Sequence, residues 1–394
     1  MRKRVGIVFG TRPDAIKMAP VVLELANRPD EFEAVVISTG QHRQMLDQVL
    51  EVFDVTTDIE LDLMRHNQTL NGLTRRILEG MDTLLAENPL DCLLVQGDTT
   101  TAFAAALAAF YRKVPVAHVE AGLRSHDLFQ PWPEEANRKL AAVVTQLHFA
   151  PTPLSRENLL AEAVPSEDVV VTGNTIVDAV EKLQEMQTIE HPLPEGVPDD
   201  GSRLVLVTSH RRESWGAELE NICDSILELV RRFPEIRVVY PVHLNPNVSG
   251  TVEARLGNRE RVHLVPPVDY FQFLSLLRRS YLVLTDSGGV QEEAPIFNKP
   301  VLVLRKLTER PEASQMGMAK VVGTAREVIV REASRLLSNE FAYKTMAAGD
   351  CPYGDGCAAS RIATALSRWL DGEQPILPIS EQFQGAVGRA QVAI

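Results

Sequence analysis

Asp98, Glu120 and Glu134 are the residues whose types and settings suit them to moving a proton. Asp98 follows the apolar run Asp91–Gln96, and Glu120 follows the run Val114–Val119. Glu134 stands in Pro131-Trp132-Pro133-Glu134-Glu135-Ala136-Asn137-Arg138, at a helix start. Any one of these acids alone is as readily a helix cap or a solvated charge, and that is the reading for Glu135. Two acids at the carboxyl ends of neighbouring strands are harder to set aside. Crowded carboxyls raise the pKa of one member and permit acid/base work near neutral pH.

A second set suits an anion. In Phe9-Gly10-Thr11-Arg12-Pro13-Asp14, Gly10 permits a tight turn, Thr11 can cap a helix and Pro13 fits its first position. This is an ordinary strand-to-helix turn, to which Arg12 and Lys17 add cations where a phosphate would sit. In Thr285–Ala294, Ser287, Gly288 and Gly289 open a helix after a strand, so backbone N–H groups are offered to a ligand. Glu293, one turn on, is placed to accept from ribose hydroxyls. His210, in Thr208-Ser209-His210-Arg211-Arg212-Glu213, follows another strand and faces the same way as the other strand-end residues. The plainer alternative for it is a histidine satisfying loop carbonyls.

These residues need strands and helices to hold them, and the pattern supplies both. Arg4–Phe9, Phe32–Ser38, Asp91–Gln96, Val114–Val119 and Asp168–Val171 read as strands. Pro13–Asn27, Leu70–Glu87, Thr100–Tyr111 and Glu134–Gln146 read as helices between them. After the Pro- and Gly-rich stretch Glu190–Gly201 the alternation restarts with strands at Arg203–Thr208, Arg237–Tyr240, Arg261–Val265, Tyr281–Thr285 and Pro300–Leu304. Helices follow at Glu218–Arg232, Phe271–Arg279 and Gly289–Phe297, and Ala358–Leu370 is amphipathic. Strands alternating with helices predict an α/β chain of two Rossmann-like, doubly wound parallel-sheet domains. Ligands bind outside the carboxyl ends of such strands, so two domains facing each other would enclose a cleft.

Composition narrows the partners. The chain has 394 residues, 45% apolar and 24% charged, too long for one comfortable core and ordinary for two domains. A formal net charge of −13 argues against a nucleic-acid partner. The runs Val5–Phe9 and Ala102–Phe110 are too short for a signal peptide or a membrane span, which predicts a cytoplasmic protein without membrane association. Cys92 and Cys223 read as small buried hydrophobes; Cys351 and Cys357 lack zinc-site spacing, and all four read as reduced thiols.

Taken in order, Gly10–Pro13, Gln96–Thr101, His118–Arg124, Pro131–Glu135, Thr172–Thr175, His210–Glu213, Pro241–Pro246, Thr285–Pro295, Thr308–Glu312 and Pro352–Gly356 resemble the bacterial non-hydrolysing UDP-N-acetylglucosamine 2-epimerases. The resemblance runs from about residue 4 to about residue 370. It implies a GT-B-like fold, a homodimer, and interconversion of UDP-GlcNAc and UDP-ManNAc without NAD or an essential metal, in the service of cell-surface polysaccharide. It implies an N-terminal domain over 1–172, a UDP-binding domain over 173–357, a helix over 358–372 crossing back, and a tail over 373–394. On matching positions, Asp98, Glu120 and Glu134 resemble the acids that move the C2 proton and assist elimination, and His210 the residue serving the departing diphosphate. Arg12, Lys17, Ser287, Gly288, Gly289, Glu293 and Arg310 resemble UDP contacts. Gln41, Gln44, Arg211 and His243 match positions implicated in binding a second UDP-GlcNAc as activator, with Glu134 shared. Asn67 stands where a basic residue is expected before Gln68, with Arg65 nearby.

The chemistry sets its own demands. The C2 hydrogen of an N-acetylhexosamine has no adjacent carbonyl, so departure of UDP from C1 must make it acidic. The site needs cations and amides for the diphosphate, and acid and base groups near both faces of C2. A GT-B glycosyltransferase, a hydrolysing epimerase that releases UDP and free ManNAc, and a non-catalytic UDP-sugar sensor are the competing readings.

Overall fold

The computed structural model describes residues 2–40, 43–65 and 68–385. Two compact units emerge: Met1–Ala179 with Tyr353–Gly385, and the intervening Val180–Pro352. Residues 173–179 and 353–357 therefore group with the first unit, and the helix Thr175–Glu185 carries the chain from one to the other.

The first unit is built on seven parallel strands: β1 (Lys3–Phe9), β2 (Phe32–Ser38), β3 (Ile59–Glu60), β4 (Cys92–Gln96), β5 (Val116–Val119), β6 (Leu147–Ala150) and β7 (Val169–Val171). Their order is β3-β2-β1-β4-β5-β6-β7. β4, β5 and β6 are buried along their whole length, as a parallel sheet covered on both faces requires. The helix Leu70–Glu87 buries Leu73, Ile77, Met81, Leu84 and Leu85, a helical repeat that lies against the alanine-rich helix Thr100–Tyr111. Alanines there let the two backbones approach closely.

The second unit repeats the plan with β8 (Arg203–Thr208), β9 (Ile236–Pro241), β10 (Val262–Val265), β11 (Leu282–Thr285), β12 (Val301–Val303) and β13 (Ala319–Val321), ordered β10-β9-β8-β11-β12-β13. Its helix Ala217–Arg232 buries Leu219, Ile222, Cys223, Ile226, Leu229 and Val230. Glu218 and Glu220 in its first turn and Arg231 and Arg232 in its last complement the helix dipole. Both sheets are of the expected Rossmann-like, doubly wound kind.

In each sheet the strand order reverses once, between β1 and β4 and between β8 and β11, and that reversal opens the crevice where ligands sit. The loops leaving those four strands carry Gly10–Asp14, Asp98, Ser209–Arg211 and Asp286–Gly289. The sheet order puts the candidate residues where the fold places ligands.

The last helix, Ala358–Leu370, belongs to the first unit and packs on the helix Arg12–Ala26. Arg28 Nη1 donates to Thr364 Oγ1 at 3.1 Å, and Lys3 pairs with Asp371 at 2.6 Å. Beyond it, Phe383 N donates to Val171 O at 2.9 Å and Val171 N to Gln382 Oε1 at 3.0 Å, so this segment ties down the edge strand β7. Among the described residues no helix is long and apolar enough to cross a membrane.

Candidate active site

On the first unit the turn after β1 is set by close approach. A Cβ on Gly10 would stand 2.5 Å from the hydroxyls of Thr39 and Thr101. Thr11 then caps the helix Arg12–Ala26, and Asp14 completes the capping box by accepting from Thr11 N at 3.2 Å and from Gly10 N at 3.4 Å. Burial pushes the Asp14 carboxyl up to about 6; its bonds to Thr11 and Gly10 pull the other way, and Asp98 adds slightly to the rise.

Lys17, one turn on, is buried and salt-bridged to Glu120. Glu120 also accepts from Asn174 Nδ2 at 3.0 Å, and its backbone sits at φ 63°, in the left-handed region. Its Oε1 lies 3.8 Å from where a Cβ on Gly97 would stand, beside the loop of Asp98. Arg138 Nε donates to Asp98 Oδ2 at 2.8 Å, and Asn137 Nδ2 to Asp98 O at 2.9 Å. Arg138 stands one helical turn after Glu134 on the helix Glu134–Val144, so the two share a face. Asp98, Glu120 and Glu134 are thereby brought to one end of one sheet.

Glu135 departs from its expected part as a cap or solvated charge. It is fully buried, accepts from Ser125 N at 3.0 Å and His126 N at 3.1 Å, and pairs with Arg138 at 3.0 Å. It needs those donors because an unpaired buried carboxylate would be costly. The chain Glu135–Arg138–Asp98 thus fixes the Asp98 carboxylate. Beneath it, His118 Nε2 lies 2.7 Å from Gly97 O; burial pulls this imidazole down to about 4.

On the second unit, the helix Gly288–Ile296 begins after β11 with no side-chain cap from Ser287. Gly288 admits the guanidinium of Arg310: a Cβ there would come within 2.6 Å of Arg310 Nη1. Arg310 is held in turn by Glu292 and Glu309. Glu293 accepts from Tyr270 Oη at 2.9 Å. His210, on the loop after β8, stacks on His243 with ring centroids 5.6 Å apart. Desolvation lowers the pKa of His210, against the opposing charge of Asp286.

Arg211, beside His210, has a buried Nε that lacks a hydrogen-bond partner among the described residues. Gln41 and Asn67 lie outside the described residues, as does the side chain of Gln44, whose backbone is in the helix Arg43–Val52. Asp14, Asn174 and Asp286 are site residues that the sequence reading does not name as candidates. Asp14 had a readable signal, an acid three residues after a Thr cap; Asn174 and Asp286 had only their positions after strands.

A family model for UDP-N-acetylglucosamine 2-epimerase matches residues 24–367. The chain is 50% identical over 369 residues to a Yersinia pestis UDP-N-acetylglucosamine 2-epimerase, covering 92% of this chain and 98% of that one. Its structure is similar to the crystal structure of UDP-GlcNAc 2-epimerase from Neisseria meningitidis bound to UDP-GlcNAc, with TM-score 0.86 and 47% identity over 92% of this chain and 99% of that chain. The glycotransferase of kitacinnamycin, at 12% identity and TM-score 0.57 over 96% of this chain and 100% of that one, shares the fold alone.

Proposed function

We infer the reaction from one premise: this chain belongs to the UDP-N-acetylglucosamine 2-epimerase family. The reading that follows is reversible, non-hydrolysing epimerisation of UDP-GlcNAc to UDP-ManNAc at C2. The C1–O bond to UDP breaks, a carboxylate takes the C2 proton, and the electron pair closes the C1–C2 double bond of a 2-acetamidoglucal. UDP then re-adds at C1 while a proton is delivered to the opposite face of C2. Atoms and charge balance without a redox cofactor.

One observation supports this reading: Asp98 and Glu120 follow the adjacent strands β4 and β5 and are held by Arg138 and Lys17, and Glu134 opens the helix that carries Arg138. A nucleotide-binding protein without chemistry at the sugar has no use for three acids there. The charge growing on the diphosphate is assigned to Arg12, Lys17, Arg310, His210 and the N–H groups of Gly288 and Gly289. Ser287 is assigned a diphosphate contact and Glu293 the ribose. The Neisseria relative bound to UDP-GlcNAc supports that substrate. A second UDP-GlcNAc as activator, held by Gln41, Gln44, Arg211 and His243, a homodimer, and a cytoplasmic setting complete the proposal.

An NMR time course with UDP-GlcNAc in D2O tests it. UDP-ManNAc should appear, deuterium should enter at C2, and free UDP should not accumulate. Deuterium at C1 sinks the mechanism; stoichiometric UDP with free ManNAc identifies a hydrolysing enzyme, and turnover only with an added acceptor identifies a glycosyltransferase.

A further inference from the structure

His210 stands on a loop with no regular structure of its own until the short turn Arg212–Ser214. What holds that loop is a residue from the neighbouring strand. β11 pairs in parallel with β8, Thr285 opposite Thr208, so Asp286 and Ser209 leave the sheet side by side. Asp286 is fully buried. Its Oδ2 accepts from Ser209 Oγ at 2.9 Å, from the backbone N–H groups of His210 and Arg211 at 3.0 Å each, and from Ser214 Oγ at 3.1 Å. Its Oδ1 accepts from His210 N at 3.2 Å and faces His210 Nδ1 at 3.5 Å.

A buried carboxylate is tolerated only when donors replace the water it has lost. The loop supplies those donors, so loop and carboxylate fix one another. Two oxygens then point at one face of the loop, and the imidazole edge nearest them is Nδ1. The ring plane is set from the other side by His243, which follows β9 and stacks on His210 with an interplanar angle of 18°.

We infer that Asp286 is a positioning residue for His210: its carboxylate keeps the proton on Nδ1, so that Nε2 is the nitrogen that gains and loses a proton. This deepens the proposed role of His210 at the departing diphosphate and rests on that reading. A carboxylate behind a working imidazole selects one tautomer and stabilises the charged ring when it forms. The other charges facing the ring are Arg211 and Glu213 on its own loop and the His243 ring.

The test begins with the intact protein, so no variant has to fold for it. Long-range 1H–15N correlation spectra of the 15N-histidine-labelled chain report the tautomer, with His210 assigned by its absence from a His210→Gln variant. The expected pattern is Nδ1–H; a dominant Nε2–H form overturns the inference. In Asp286→Asn the tautomers should mix, the imidazole pKa should fall, and kcat should drop on the order of a hundredfold with KM within about threefold. Adding Asp286→Asn to His210→Gln should cost nothing further. A kcat loss with the tautomer and pKa unmoved shows a loop anchor only and overturns the proposal. Turnover by a wild-type chain carrying Nε2–H sinks this inference alone, whereas a wild-type chain inert toward UDP-GlcNAc sinks the reading beneath it.

Discussion

Glu120 combines burial and a paired charge with a backbone conformation that a non-glycine residue rarely adopts. It is buried, its charge is met by Lys17 and Asn174, and its backbone occupies the left-handed region without being glycine. That conformation costs on the order of 1 kcal/mol, and such strain gathers where function fixes a side chain. Glu120→Gln should lower kcat by about 10²–10⁴-fold. It should also cost about 3 kcal/mol of stability, because Lys17 is left buried opposite a neutral partner. The double variant Lys17→Met with Glu120→Gln should regain much of that stability while staying inactive; urea midpoints alongside turnover separate the two effects. A midpoint that falls further in the double variant counts against the pairing. Gly288→Ala should weaken UDP binding roughly ten- to a hundredfold by displacing Arg310, whose Nη1 leaves no room for a Cβ, and calorimetry would read it.

Strands and helices impose their own sensitivities. β5 and β6 bring His118 and His148 into register as direct neighbours, both buried, each with an Nδ1 that has no hydrogen-bond partner among the described residues. Burial pulls His118 down to about 4 and His148 to about 3, from an ordinary 6.5. Between 6.5 and those values the unfolded chain binds more protons than the folded one, so stability falls as pH drops through that window. Asp14, raised from 3.8 to about 6, works the other way, since its folded form binds the extra proton between those values. The histidine shifts are larger together, so the net effect is acid lability. Urea midpoints should fall steadily from pH 7 to pH 4, and His148→Leu should lose less over that range; an equal loss refutes this account. At the helix Arg12–Ala26, Thr11→Ala removes the cap and should cost about 1 kcal/mol, with Arg12 displaced and KM raised.

The same elements show what a sequence can and cannot announce. Long amphipathic or apolar runs were legible: Leu70–Glu87, Thr100–Tyr111, Ala358–Leu370 and β8 fall on the expected residues. β3, β6 and β13 were not: Ile59–Glu60 has only two residues, and Ala319–Val321 sets a lysine between its two apolar residues. Leu147–Ala150 was hidden by running on from the helix Glu134–Val144 with a histidine inside it. Among site residues, Asp98 and Glu120 stand out by following neighbouring apolar strands, whereas Asp286, which follows β11 just as directly, does not. The burial of Glu135 could not be read from sequence, since it depends on Arg138 and on the amides of Ser125 and His126 meeting it in space.

At the scale of the molecule, the first unit is assembled from both ends of the chain. The helix Ala358–Leu370 covers the helix Arg12–Ala26 with Ile362, Ala363 and Leu366 among its buried residues, and Gln382 and Phe383 hold β7. Ending the chain at Cys357 should lower the melting temperature of the first unit and leave the second little changed, as two transitions in calorimetry would show. A loss confined to the second unit contradicts that division. During synthesis, the half bearing Ser287 and His210 is complete before the half bearing the three acids has received its final helix. A chain cut short near Pro352 therefore holds the described part of the second unit, while its first unit lacks the helix that covers Arg12–Ala26 and the residues that pin β7.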